Sequence, residues 1–150
     1  MITWVGIMLL ALALVTQLAG KWWCTTAAGS AVAATFTVTP SGNVTERIEF
    51  GSSTKGGWYN QTFIYDAKAG RWNVKNVGSN GTVFTGTSNG GDHKLIEANG
   101  TQNYGTSVAP TRERFILESL ENFSLLWEKQ VKGSWQLESY SDCALLSNPK

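Results

Sequence analysis

Residues 32–50 read VAATFTVTPSGNVTERIEF, two runs of alternating side chains joined by a turn. In the first run, valine, alanine and phenylalanine at the even positions alternate with alanine and threonine at the odd ones. In the second run, the even positions hold Val44, Glu46, Ile48 and Phe50. A β-strand with one buried face has a period of two, and Pro-Ser-Gly-Asn is typical of a tight turn. The stretch therefore predicts a β-hairpin.

The same period continues along most of the chain after residue 20. Runs of β-branched and aromatic residues are separated by clusters of Gly, Asn and Asp, of which Asn80-Gly81 is the strongest hairpin signal. Residues 99–110 break the pattern and predict a long polar connection. No segment beyond residue 20 shows a sustained helical period. We therefore predict an all-β fold with about eight to ten antiparallel strands.

Short hairpins joining neighbouring strands favour one architecture over the others. A β-sandwich of the Greek-key type needs long crossovers, whereas an up-and-down β-barrel does not. Closure of the barrel would place the first and last strands side by side, which would bring Cys24 within reach of Cys143. An exported protein would oxidise this pair. The alternative is that the two thiols are unrelated and buried.

The N-terminal segment Ile2–Ala19 is apolar and contains no charged side chain. It has the length of a helix that nearly spans a bilayer, and Ala11-Leu12-Ala13 fits a signal-peptidase site, but no Lys or Arg precedes it. We divide the chain into a signal peptide or apolar anchor helix (1–19), a barrel (20–145) and a C-terminal tail (146–150). The expected location is secreted or periplasmic or, if the helix is retained, membrane-anchored at the cell surface.

The composition argues against several classes of function. The net charge is +1 with both signs intermixed, and the chain has one His and two Cys. Nucleic-acid binding and a Cys/His zinc site are therefore disfavoured. His93 could ligate haem in a barrel of the nitrobindin type, which the chain resembles in size and strand count. That family's haem histidine lies in a late segment, however, and no distal partner is evident here. We predict no cofactor and no metal ligand, and we assign no catalytic residue.

Two sets of motifs resemble those of calycin barrels. Gly20-Lys21-Trp22 resembles the Gly-x-Trp with which lipocalins begin, although the lipocalin Thr-Asp-Tyr signature and C-terminal helix are absent. This resemblance implies that Gly20 and Trp22 close the barrel under an arginine from a late strand, Arg112 or Arg114, of which we assign Arg114.

A broader resemblance covers residues 18 to 145. It looks like a family of small exported bacterial proteins of calycin-like shape whose activity is not established. The resemblance implies the barrel fold and adds no catalytic residue. The motifs that carry it are Leu18-x-Gly20-x-Trp22-x-Cys24, Gly57-Trp58-Tyr59-x-x-Thr62-Phe63-x-Tyr65-Asp66, Arg71-Trp72, Asn76-Val77-Gly78-Ser79-Asn80-Gly81-Thr82, Arg114-Phe115, Trp135 and Cys143.

Aromatic residues suggest a function for the barrel interior. The chain has seven Trp, four Tyr and six Phe, so the interior either is an aromatic cavity or is filled by side chains. We predict a binder of a small, largely apolar molecule. The alternatives are a surface or filament subunit that retains its N-terminal helix, and an enzyme that uses a strand carboxylate such as Glu46, Glu49 or Glu97. The interior candidates for ligand binding are Trp22, Phe36, Tyr59, Phe63, Tyr65, Trp72 and Trp127.

Overall fold

The computed structural model describes residues 18–27, 29, 31–50, 57–88 and 95–147. Within these ranges the chain forms ten β-strands and no helix. The strands are β1 (Gly20–Thr26), β2 (Ala31–Val38), β3 (Val44–Phe50), β4 (Trp58–Asp66), β5 (Arg71–Gly78), β6 (Val83–Ser88), β7 (Leu95–Tyr104), β8 (Ser107–Leu117), β9 (Asn122–Val131) and β10 (Ser134–Ser147).

The ten strands form one closed antiparallel barrel. Each strand pairs with its neighbours in sequence, and β1 pairs with β10 to close the ring. The prediction of an all-β, up-and-down barrel is therefore confirmed. Closure leaves no strand edge of the barrel unpaired, which removes the surface through which open sheets aggregate.

A disulfide joins the two strands at the seam. Cys24 on β1 lies directly opposite Cys143 on β10, and the two residues are bonded with a Cα separation of 4.0 Å. This confirms the predicted pairing, although the backbones are closer than the roughly 5.5 Å expected for a typical disulfide. The bond indicates an oxidising, non-cytoplasmic environment.

The half of the barrel that contains the start of β1 is filled by aromatic side chains. Trp22, Phe36, Phe63, Phe115 and Phe123 are buried there and pack mostly edge to face, with Phe115 stacked on Phe123 at 4.4 Å between ring centroids. We call this part the closed half. Such pairs add to the free energy already gained by burying the rings.

A bond between Trp22 and the chain that enters β1 completes the closed half. The indole Nε1 of Trp22 donates a hydrogen bond of 2.9 Å to the backbone carbonyl of Leu18. Both residues are buried, at 0% and 2% exposure. The segment that leads into the barrel is thus held against its core.

The prediction of a long polar connection over residues 99–110 is wrong. These residues belong to a hairpin in which β7 runs to Tyr104 and β8 starts at Ser107, with Gly105 in the left-handed conformation at the turn. The interior positions of this hairpin near the turn are small or polar, so the alternation of apolar and polar residues disappears. Gly100 is one of them: a Cβ there would lie 1.8 Å from the backbone oxygen of Thr85.

Two predictions concern residues that lie outside the described ranges. The predicted apolar helix covers residues 1–19, of which the structure describes only Leu18 and Ala19, and His93 falls between β6 and β7 in an undescribed stretch. None of the described segments is a helix with the length and apolarity needed to cross a membrane.

Candidate ligand-binding site

A cavity of about 360 Å³ occupies the other half of the barrel, which we call the open half. It reaches residues that are exposed at the rim, among them Phe50 and Glu138. The interior is thus filled at one end and hollow at the other. The described residues that line the cavity are Cys24, Thr26, Val32, Glu46, Ile48, Phe50, Tyr59, Gln61, Asn76, Gln102, Leu125, Trp127, Glu138, Ser139, Ser141 and Cys143.

The walls of the cavity are mostly apolar and aromatic. Ile48 and Tyr59 face each other on β3 and β4, and Leu125 and Trp127 come from β9. The ring of Trp127 packs edge to face on buried Phe84, with 4.9 Å between centroids. This contact holds the indole of Trp127 in one orientation, so this part of the cavity wall is preorganised for binding a ligand.

The inner end of the cavity contains a buried carboxyl group, that of Glu46. Its neighbour Val44 lies in the closed half and Ile48 lines the cavity, so Glu46 marks the boundary between the two halves. The residue is 1% exposed, and neither carboxyl oxygen has a hydrogen-bond partner among the described residues. Burial raises the pKa of Glu46 well above its usual value, and the nearby Glu113 carboxylate raises it further.

A chain of side-chain hydrogen bonds leads to the second buried carboxyl group, that of Glu113. Asn76 Nδ2 donates to Gln61 Oε1 at 2.7 Å, and Gln61 Nε2 donates to Glu113 Oε1 at 2.5 Å. Glu113 Oε2 has no partner in the described part of the chain. Burial raises the pKa of Glu113 to about 7, although the bond from Gln61 works in the opposite direction.

A smaller polar group lies at the rim. The Tyr104 hydroxyl donates a 2.8 Å hydrogen bond to Glu138 Oε2, and Lys129 Nζ lies 4.1 Å above the centre of the Tyr104 ring. Burial is the largest cause of a raised pKa for Tyr104. These contacts connect β7, β9 and β10 beside the mouth of the cavity.

The seven interior candidates divide between the two halves. Tyr59 and Trp127 line the cavity. Trp22, Phe36, Phe63 and Trp72 belong to the buried core, and Tyr65 packs on Trp72 with 5.0 Å between ring centroids. Two of the seven candidates thus line this cavity.

The three residues assigned to closing the barrel do not all meet. Gly20 lies at the start of β1, and Trp22 is buried two residues later among Phe36 and Phe123. Arg114 lies on the side of β8 opposite to Phe115, where its guanidinium binds Glu128 through two hydrogen bonds of 3.0 Å.

The alternative candidate Arg112 also lies on the outside of the barrel. Its Nε donates to Glu128 at 2.7 Å, and its guanidinium stacks 4.5 Å above the ring of Trp135. The described contacts of Trp22 are with Leu18 and the aromatic core, and they include neither arginine.

Among the carboxylates proposed for acid–base chemistry, only Glu46 lies in the interior. Glu49 is exposed and contacts Arg47, and Glu97 accepts a hydrogen bond from Asn99. Sequence reasoning missed Glu113 as the partner of Glu46. The sequence does predict that the Glu113 side chain faces the interior, because Glu113 is two residues before Phe115 on the same face of the strand.

Searches of protein-family models and of curated proteins find no match to the sequence. The fold itself, a closed antiparallel barrel of ten strands, is consistent with a calycin-like barrel. Among the described residues, no group of three or more His, Cys, Asp or Glu side chains is placed to hold a metal ion.

Proposed function

We propose that this protein binds a small, largely apolar molecule in the cavity of the open half. The observation that carries the proposal is the cavity itself, at about 360 Å³ and with walls that include Ile48, Leu125 and Trp127. Cavities that hold small molecules have volumes of roughly 300–1,000 Å³ and apolar walls with a few polar groups. The volume lies near the lower end of this range, so a ligand smaller than most drug-sized molecules suits it.

The test uses a neutral probe of that size, 4-phenylbutan-1-ol, followed by the ¹H–¹⁵N indole signals of the protein. The Trp127 signal should shift with saturation at one equivalent, because its ring lines the cavity, whereas the Trp22 signal in the closed half should stay in place. A variant that fills the cavity, Ser141→Phe, should abolish the shift. Ala144→Phe on the same strand, whose position is exposed, is the matched control. A Trp127 shift on adding the probe that is equally large in Ser141→Phe and Ala144→Phe would contradict the proposal.

We propose further that the protein is exported, as a member of a small calycin-like barrel family. The disulfide and the apolar segment before the barrel support export. Cleavage near residue 19 would release the barrel, whereas retention of the segment would make it a membrane-anchored or filament subunit. The intact mass of the native protein separates the two: loss of the first 13 to 20 residues supports release, and a retained Met1 supports anchoring.

A second candidate function, acid–base catalysis in the cavity, is favoured by Glu46 alone among the three carboxylates considered for it. A carboxyl group with a raised pKa in an apolar cavity is what a general acid or base at neutral pH requires. The test is exchange of deuterium into 4-phenylbutan-2-one at the carbons next to its carbonyl. The enzyme hypothesis expects acceleration that Glu46→Gln abolishes, and an unaccelerated rate would exclude this reaction.

A further inference from the structure

We propose that the inner end of the cavity recognises a protonated amine, so that the ligand is a small, largely apolar amine whose nitrogen binds Glu46. The inference rests on the proposed function, because it assigns the polar end of the molecule held in the same cavity. Three features of the interior support it: an unpartnered buried carboxyl group, a second carboxyl group beside it, and aromatic walls.

The unpartnered carboxyl group is the first feature. Both oxygens of Glu46 are buried without a hydrogen-bond partner among the described residues, and the residue lines the cavity. An unsatisfied buried polar group is costly and rare in folded proteins. An ammonium group has three hydrogen-bond donors and no acceptor. It can therefore donate to both oxygens of Glu46, and it brings no acceptor that would be buried without a partner.

The charge around the site is the second feature. Glu113, on the opposite side of the barrel, interacts with the charge of Glu46, and Glu138 lines the same cavity nearer the rim. Among the described residues that line the cavity there is no lysine or arginine; Lys129 lies at the rim over Tyr104. A bound cation would therefore meet carboxyl groups that can ionise to pair with it, whereas a bound carboxylate would meet no positive charge among the described lining residues. Fatty acids are poor candidates for this reason.

The groups on the neighbouring strands leave the site available to a cation. Next to Glu46, β2 presents Phe36 and β4 presents Gln61, which is already bonded to Glu113 and Asn76. Tyr59 is the titratable side chain on β4 among the described residues that line the cavity. The rings of Tyr59 and Trp127 add faces on which a cation is attracted.

Protons on the carboxyl pair couple the binding of an amine to pH. Without a ligand, burial keeps a proton on the pair near neutral pH. An ammonium ion binds the ionised form, so its binding must release a proton. Affinity for the amine should therefore rise with pH, by at most tenfold per unit for each proton released. A neutral ligand of the same shape should show no such dependence.

Calorimetric titration with three matched probes tests the inference. The probes are 4-phenylbutylamine, 4-phenylbutan-1-ol and 4-phenylbutyrate, which share one apolar body and differ in the charge at its end. At pH 8 we expect the amine to bind at least about tenfold more tightly than the alcohol, with the carboxylate weakest. Between pH 6 and pH 8 the affinity for the amine should rise by about tenfold or more. The released proton should make the measured heat of binding depend on the ionisation enthalpy of the buffer.

Variants assign the effect to the carboxyl pair. Glu46→Gln should bring the affinity for the amine down to that for the alcohol and leave the alcohol within about threefold of its original affinity. Glu49→Gln, on the outside of the same strand, is the matched control and should change neither. If Glu46→Gln does not fold, Glu113→Gln serves instead and should weaken the pH dependence of amine binding.

The outcomes separate this inference from the proposed function. If the alcohol binds but the amine binds no more tightly at pH 8, or if Glu46→Gln leaves the preference for the amine intact, the assignment of the amine is wrong while the cavity remains a binding site. If none of the three probes binds, the proposed function fails and the inference fails with it.

Discussion

Glu46 and Glu113 lie on opposite sides of the ring of strands, on β3 and β8, yet their buried carboxyl groups interact across the interior. Gln61 on β4 donates a 2.5 Å hydrogen bond to the Glu113 carboxyl group on β8. A polar bridge therefore crosses the barrel and separates the aromatic closed half from the cavity. Both the stability of the fold and the chemistry of the cavity depend on it.

The first prediction concerns stability and pH. Glu113 has a pKa of about 7 in the folded protein against a usual 4.5, so between these values the folded state holds a proton that the unfolded state has lost. Stability must then fall as pH rises through this window, by about 1.4 kcal/mol per unit or roughly 3 kcal/mol in all. Glu113→Gln removes this part of the pH dependence and keeps only the part that buried Glu46 contributes, so its urea midpoint should fall less between pH 5 and pH 8.

The control for this prediction is Glu49→Gln, which neutralises an exposed carboxylate on β3. It should retain the pH dependence of the original protein. Equal slopes of stability against pH in the original protein and in Glu113→Gln would show that the Glu113 carboxyl group is not buried as described.

Trp22 and Trp23 offer a second, matched comparison on one strand. Trp22→Phe should lower the free energy of unfolding by about 2–3 kcal/mol, because it leaves a gap in the aromatic core and removes the bond to the Leu18 carbonyl. Trp23 points outward with 48% exposure, so Trp23→Phe should cost less than about 0.5 kcal/mol. Urea unfolding measures both, and a similar loss in the two variants would contradict the orientation of β1.

The third prediction concerns the seam of the barrel. The double variant Cys24→Ser, Cys143→Ser should be less stable by about 2–5 kcal/mol, because the bond closes a loop between residues 119 positions apart. Chemical unfolding of the oxidised and double-variant proteins measures the difference. A thiol assay on unreduced, denatured protein provides the check: it should find no free thiol, and two per chain would refute the bond.

The fourth prediction concerns Glu128 on the outside of the barrel. The hydrogen bond from Arg112 is the largest cause that lowers the pKa of Glu128, and Arg114 adds to the effect. Glu128→Gln should destabilise the fold by about 1–2 kcal/mol at pH 7. Because a lowered pKa stabilises the fold above the usual value, the difference should shrink as pH falls towards 3. An effect no larger than that of Glu49→Gln, whose pair with Arg47 is exposed, would contradict the account.

The strands could be predicted from the sequence where apolar side chains mark the buried face and alternate with polar or small ones. In β2, every buried position is apolar and the alternation in the sequence is complete. In β7, Gly100 and Gln102 occupy interior positions next to the turn, so nothing in the pattern marks a face. A glycine is needed at position 100 because β6 passes too close for a larger side chain. This need arises from the packing of two strands, so the sequence of β7 alone does not predict it.

The candidate site could be predicted only in part. The alternation over residues 44–50 predicts one shared face for Val44, Glu46 and Ile48, and this is the face that they occupy. Which interior positions are filled and which line a cavity depends on the stagger between distant strands. The meeting of Glu46 with Glu113 depends on closure of the whole ring, so local sequence could not predict it.

A crystal structure of the oxidised protein grown at pH 8 with 4-phenylbutylamine tests the central claim most directly. We predict one molecule of the amine in the open half, with its ring between Tyr59 and Trp127 and its nitrogen within about 3 Å of a Glu46 oxygen. An amine bound only outside the barrel, or an interior in which side chains close the cavity, would contradict the claim.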